Sequence, residues 1–217
     1  MRVKICGITS LEDALAAVEA GADLLGFNFY PPSPRFVPPE VCAKIVASLR
    51  GTGVTCVGVF VNAPLDEIQA ILEVCRLDLA QLSGDEPPEV VNALGERAFK
   101  ALRPASSTEL EALLRRYPPR REAPAWLLDA YRPGEYGGTG APASRELARA
   151  LAGQAPILLA GGLRPENVGE AIRQVRPWGV DVASGVESSP PHKDALRMKQ
   201  FIQAARMAAT EGTGDLP

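Results

Sequence analysis

The chain is poor in the residues that metal and redox centres use. Among 217 residues there is one histidine, His192, and four cysteines, Cys6, Cys42, Cys56 and Cys75. None of the cysteines forms a C-x-x-C pair, so zinc-type ligand spacing is absent and no metal is expected. Isolated thiols of this kind read as small core residues in a reducing compartment. Excess positive charge is missing too. The net charge of −3 leaves no electrostatic footprint for nucleic acid or an anionic membrane. No apolar run reaches the roughly 20 residues of a spanning helix. The opening Arg2-Val3-Lys4-Ile5-Cys6 shows no signal-peptide pattern, so a cytoplasmic protein is expected.

What is present is an ordinary globular balance, 46% hydrophobic and 23% charged, long enough for one sizeable core. Short β-type runs alternate with amphipathic helical patterns. The pattern predicts strands over 2–6, 24–29, 55–61, 79–82, 98–102, 125–129, 157–160 and 179–183. Helices are predicted over 11–20, 39–49, 65–75, 88–94, 108–116, 143–151, 167–175 and 194–209, with Ser10 as an N-cap. Strict alternation argues a parallel sheet, because parallel strands need crossover helices. Eight units in this length suit a closed (β/α)₈ TIM barrel over 1–210, a single domain followed by a disordered tail over 211–217. An open doubly wound sheet is the alternative, but it usually carries a Gly-rich fingerprint after its first strand, where only Cys6-Gly7-Ile8-Thr9 follows.

Two glycine-bearing strand ends lie near the C-terminus: Leu159-Ala160-Gly161-Gly162-Leu163 and Asp181-Val182-Ala183-Ser184-Gly185. In such a barrel the loops after strands seven and eight often cradle a phosphate. Glycines there let backbone N–H groups approach phosphate oxygens closely. The pair points to a phosphorylated small molecule, against the plainer reading of two turns. Two longer loops follow strands two and six. They are the proline-rich stretch 31–38 and the glycine-rich stretch 130–142, both on the face where such barrels work.

Cys6 ends strand one, and Lys4 two residues earlier points to the same face. A thiolate is a competent base, and a nearby cation lowers a thiol's pKa. The competing reading is a buried apolar thiol. Asp129 closes an apolar strand, where desolvation raises a carboxyl's pKa and suits it to donate a proton. The competing reading is a helix cap or a loop hydrogen bond. Asp181 lies within strand eight and needs a partner, for which Lys4 on the adjoining strand is the candidate. Glu187 follows just beyond. Arg35 is the one charge in its proline-flanked loop and can grip a carboxylate or phosphate, or be a surface arginine. His192 reads as surface. A single histidine disfavours metal-dependent barrel epimerases and aldolases.

In chain order the motifs are similar to those of the phosphoribosylanthranilate isomerase family. They are Lys4-Ile5-Cys6-Gly7-Ile8-Thr9, Gly26-Phe27-Asn28-Phe29-Tyr30 with Ser33-Pro34-Arg35-Phe36-Val37, and Gly58-Val59-Phe60-Val61-Asn62. Gln81-Leu82 with Gly84-Asp85-Glu86, Leu128-Asp129, and Gly137-Gly138-Thr139-Gly140 come next. The set ends with the two glycine loops, the first continuing into Pro165-Glu166-Asn167-Val168 and the second into Val186-Glu187. Two positions depart from the family pattern. Ser83 stands where a histidine is frequent, which argues that position 83 does no essential acid–base work. Ala183 replaces a second serine near the phosphate.

The resemblance implies a (β/α)₈ barrel that carries out an Amadori rearrangement without metal or redox cofactor. It implies Cys6 as base, Asp129 as acid and Arg35 as holder of the anthranilate carboxylate. Gly161, Gly162, Ser184 and Gly185 would form the phosphate cradle, and Asp181 would touch a substrate hydroxyl or pair with Lys4. Three other readings stand beside it: ribulose-phosphate 3-epimerase, a non-catalytic phosphate-ligand binding protein, and a thiol-redox role for Cys6. A barrel this small gains stability by pairing, so a homodimer with symmetric contacts is expected.

Overall fold

The computed structural model describes residues 1–129 and 144–211. The chain begins β1 (Arg2–Cys6), α1 (Leu11–Ala20), β2 (Leu24–Asn28), α2 (Pro39–Ser48), β3 (Thr55–Phe60), α3 (Leu65–Val74) and β4 (Leu79–Leu82). It continues α4 (Pro88–Leu94), β5 (Ala98–Leu102), α5 (Ser107–Arg116), β6 (Trp126–Leu128), α6 (Arg145–Ala152), β7 (Ile157–Leu159), α7 (Val168–Val175) and β8 (Gly179–Val182). A 3₁₀ turn (Ser184–Val186), β9 (Glu187–Ser189), β10 (His192–Lys193) and α8 (Ala195–Glu211) complete it.

The eight parallel strands β1–β8 close in sequence order, with β1 paired to both β2 and β8. Closure excludes the open doubly wound sheet. Register around the seam sets Lys4 opposite Asp181 and Cys6 opposite Gly26. Successive side chains in a strand face opposite ways. Val3 and Ile5 therefore join the large apolar shell between sheet and helices, while Leu24, Val57, Phe99, Ala101, Leu127, Leu158 and Ala160 form a smaller cluster inside the barrel. The strands are buried on both faces, which is why they read as near-continuous apolar runs.

Local signals explain the helix starts. The Ser10 side chain accepts from Asp13 N at 3.1 Å, and Ser106 and Ser144 cap α5 and α6 in the same way. α1 ends at Gly21, whose φ of 96° is the left-handed conformation that favours glycine. Residue 143, where α6 was expected to begin, lies outside the described residues. So do the whole of the glycine-rich loop 130–142, with the Gly137-Gly138-Thr139-Gly140 motif, and the tail 212–217. Glu211, where the tail was expected to start, closes α8 instead. The β9–β10 hairpin was not expected. Its strands are two and three residues long in a polar segment, too short for an alternating pattern. Among the described residues no helix is long and apolar enough to cross a membrane.

Candidate active site

The inward alternation that fills the barrel continues past the strand ends and builds a cavity at the C-terminal face. Above Lys4 comes Cys6, above Val57 comes Val59, above Gln81 comes Ser83, and above Ala101 comes Arg103. Above Leu127 comes Asp129, and above Asp181 comes Ala183. These upper residues, with Gln81 and Asp181, line one cavity of about 490 Å³, joined by Asn28 from the end of β2 and by Tyr30 and Arg35 from the loop after it. Cys6, Arg35, Asp129 and Asp181 are thus brought together, on the face where such barrels carry their sites. Asp129 is half-buried just beyond β6, its N–H donating to Leu102 O at 3.0 Å.

Beneath Cys6 lies a buried polar layer. Lys4 Nζ donates to Asp181 Oδ1 at 2.8 Å and to Gln81 Oε1 at 2.9 Å, and Gln81 Nε2 donates to Ser83 Oγ at 3.0 Å. The Lys4–Asp181 pair is the one the strand order called for. Gly26 makes room for it: a Cβ there would come within 2.7 Å of Cys6 Sγ and 3.1 Å of Lys4 Nζ. Burial opposes the charge on Lys4, but Asp181 and Cys6 together outweigh it and hold the ammonium above its ordinary pKa. Cys6 goes the other way from the simple expectation. Burial pushes its thiol up and the Asp181 charge adds to this, more than the Lys4 charge pulls it down. Lys4 still draws the thiol down, but it is shared with the Asp181 carboxylate, whose own charge works against it.

Arg35 sits in a loop that folds back on β2. Val37 N donates to Asn28 O at 2.9 Å, and Ser33 Oγ accepts from Arg35 N and Asn28 Nδ2, each at 3.2 Å. The guanidinium pairs with Glu187, Nε to Oε1 at 2.7 Å and Nη2 to Oε2 at 2.8 Å. Lys193 Nζ also donates to Glu187 Oε1, at 2.7 Å. The pairing of Glu187 with Arg35 and the burial of Lys193 were missed at the level of sequence. Glu187 stood out as acidic beside strand eight, yet nothing local marks Lys193, which follows the exposed His192.

The two glycine loops meet at the same end of the barrel. Gly161 and Gly162 have φ of 91° and 62°, conformations that side chains rarely adopt. Asn167 staples their loop, donating from Nδ2 to Gly162 O and accepting at Oδ1 from Arg164 N, both at 2.9 Å. Gly185 packs against Leu163 O, leaving no space for a Cβ. Gly161, Gly162, Ser184 and Gly185 do not line the cavity around Cys6. Ser184-Gly185 adjoins it through Ala183, which does. Among the described residues no group of three or more His, Cys, Asp or Glu side chains could hold a metal.

Fold and cavity define an enzyme of the (β/α)₈-barrel class with its working face at the strand C-termini. Residues 3–204 match the family model for N-(5'-phosphoribosyl)anthranilate isomerase. The chain is 50% identical over 206 residues to the N-(5'-phosphoribosyl)anthranilate isomerase of Geobacter metallireducens, covering 95% of this chain and 99% of that one. It is similar to the structure of monomers generated from the dimeric phosphoribosylanthranilate isomerase of Thermotoga maritima. That match has a TM-score of 0.82 at 39% identity, over 95% of this chain and 99% of that one. The same values hold for a phosphoribosyl anthranilate isomerase in complex with reduced 1-(o-carboxyphenylamino)-1-deoxyribulose 5-phosphate. The chain belongs to the N-(5'-phosphoribosyl)anthranilate isomerase family and is an isomerase of tryptophan biosynthesis.

Proposed function

We propose that the chain converts N-(5-phosphoribosyl)anthranilate to 1-(2-carboxyphenylamino)-1-deoxyribulose 5-phosphate with Asp129 as general acid and Cys6 as general base. The Asp129 carboxylic acid gives its proton to the ribose ring oxygen as the C1–O bond breaks. The nitrogen lone pair forms the C1=N bond of a protonated Schiff base. That positive nitrogen acidifies the C2–H. The Cys6 thiolate takes the C2 proton, the freed electron pair forms C1=C2, and the nitrogen is neutral again. Tautomerisation of the enaminol gives the ketone. The observation that carries this reading is the placement of Cys6, from β1, and Asp129, from beyond β6, in one cavity.

Arg35 is assigned to the anthranilate carboxylate, and Asp181 to a substrate hydroxyl while it also holds Lys4. The backbone amides of Gly161, Gly162, Ser184 and Gly185 are assigned to the phosphate. Positive φ and absent side chains on the first loop, and contact between the two loops, support that assignment. Replacing Gly162 by leucine is expected to raise KM about 10- to 100-fold, the worth of charge-assisted hydrogen bonds. Inhibition by inorganic phosphate should weaken in parallel. Unchanged phosphate inhibition in a folded Gly162→Leu protein would remove the phosphate from these loops.

The working assembly is a homodimer, in line with the dimeric Thermotoga maritima relative. Light scattering at high micromolar concentration is expected to return twice the chain mass, and a monomer mass would refute it. The family's place in amino-acid biosynthesis supports a cytoplasmic location.

A further inference from the structure

Glu187 and Lys193 are buried charges that the proposed chemistry does not use, at 8% exposure each. Glu187 opens β9, directly after the Ser184–Val186 turn. Its carboxylate holds Arg35 through two hydrogen bonds, at 2.7 and 2.8 Å. Lys193 Nζ joins Glu187 Oε1 at 2.7 Å and also donates to Ala183 O at 3.2 Å. Arg35 lines the cavity, while Glu187 and Lys193 do not. The carboxylate thus lies behind the guanidinium and takes Nε and Nη2, leaving Nη1 outside the pair. The Arg35 stem is pressed across Gly7, where a Cβ would approach its Cδ to 2.5 Å. Burial alone would raise the Glu187 pKa, but Arg35 and Lys193 outweigh it and hold the carboxyl below the ordinary range. Two cations share one anion, and of the three only Arg35 faces the cavity.

We infer that Glu187 is a positioning residue that sets the span between the two anion-binding ends of the site, the Arg35 guanidinium and the Ser184-Gly185 loop. The inference rests on the assignment of Arg35 to the substrate carboxylate. Glu187 is covalently close to Ser184-Gly185, and Lys193 ties it to the carbonyl of Ala183 at the start of that loop. Its bidentate grip on Arg35 therefore carries the position of the phosphate loop across to the carboxylate end. A ligand with both anions needs that span set in advance. A ligand with the phosphate alone does not.

Glu187→Gln in the full chain separates these cases. KM for N-(5-phosphoribosyl)anthranilate, and the inhibition constant of reduced 1-(o-carboxyphenylamino)-1-deoxyribulose 5-phosphate, are expected to rise about 10- to 100-fold, the effect of losing a charged hydrogen-bonded partner. Inhibition by inorganic phosphate should stay within about twofold, below the size of one lost hydrogen bond, and kcat should fall far less than KM rises. The Arg35→Ala and Glu187→Gln penalties should not add, because both act through one guanidinium. If Arg35→Ala leaves KM unmoved, the carboxylate assignment itself fails. If Arg35→Ala raises KM while folded Glu187→Gln leaves it unchanged, or if phosphate and the analogue weaken equally, the inference is overturned. Should the glutamine protein not fold, Glu187→Asp, which keeps the charge but shortens the reach, carries the same comparison with a smaller rise in KM.

Discussion

Cys6→Ser lowers kcat on N-(5-phosphoribosyl)anthranilate by about 10²–10⁴-fold, the usual cost of losing a general base. Affinity for the reduced product analogue stays within a few fold. The exchange is nearly isosteric, so the cavity and the Lys4–Asp181 pair beneath it are kept. What changes is basicity: a hydroxyl holds its proton far more tightly than a thiol. The surroundings make the thiol itself a reluctant base. Burial and the Asp181 charge outweigh Lys4 and raise the Cys6 pKa. The thiolate is then a minority at neutral pH, since even an unperturbed thiol titrates near about 8.5. Iodoacetamide should accordingly label Cys6 slowly at neutral pH and faster as the pH rises, with protection by the analogue. A serine variant with near wild-type kcat would make Cys6 a core thiol and end the mechanism.

Much of this architecture is legible along the chain because parallel barrel strands are buried on both faces. Their apolar runs stand out against amphipathic helices, and β1, β4, β5, α1 and α4 fall on the expected bounds. Cys6 and Asp129 are legible for a related reason. Each is one inward step beyond an interior residue, Lys4 and Leu127, so strand period alone aims it into the mouth. The Lys4–Asp181 pair follows from closure, which sets β8 beside β1.

Other parts of the site are not visible in one dimension. Arg35 and Glu187 lie 152 positions apart, and Lys4 and Gln81 lie 77 apart. No local pattern pairs them. The sign of the Cys6 shift was also beyond the sequence, because proximity to a cation argues downward. Burial and the charge of Asp181 decide the outcome. Ser83 is buried and accepts from Gln81, a supporting contact consistent with a position that does no acid–base work.

Asp129→Asn produces a loss of kcat of similar size, about 10²–10⁴-fold, because an amide cannot give the ring oxygen a proton. The pH profile distinguishes this role from a structural one. A carboxylic acid ordinarily loses its proton well before a thiol, and burial widens that gap from the Cys6 side. The competent form, thiolate with carboxylic acid, is then a minority species between two macroscopic values that belong to the pair. Its population is bell-shaped in pH, so wild-type kcat/KM should pass through a maximum. Without the acid, turnover depends on the thiolate alone. The residual kcat/KM of Asp129→Asn should therefore climb with pH through the Cys6 titration and show no alkaline fall. In Cys6→Ser the residual activity depends on the protonated carboxyl and should decline as pH rises. An Asp129→Asn protein that is weak at every pH but keeps the wild-type bell would place the acid on another residue, leaving Asp129 to shape the cavity.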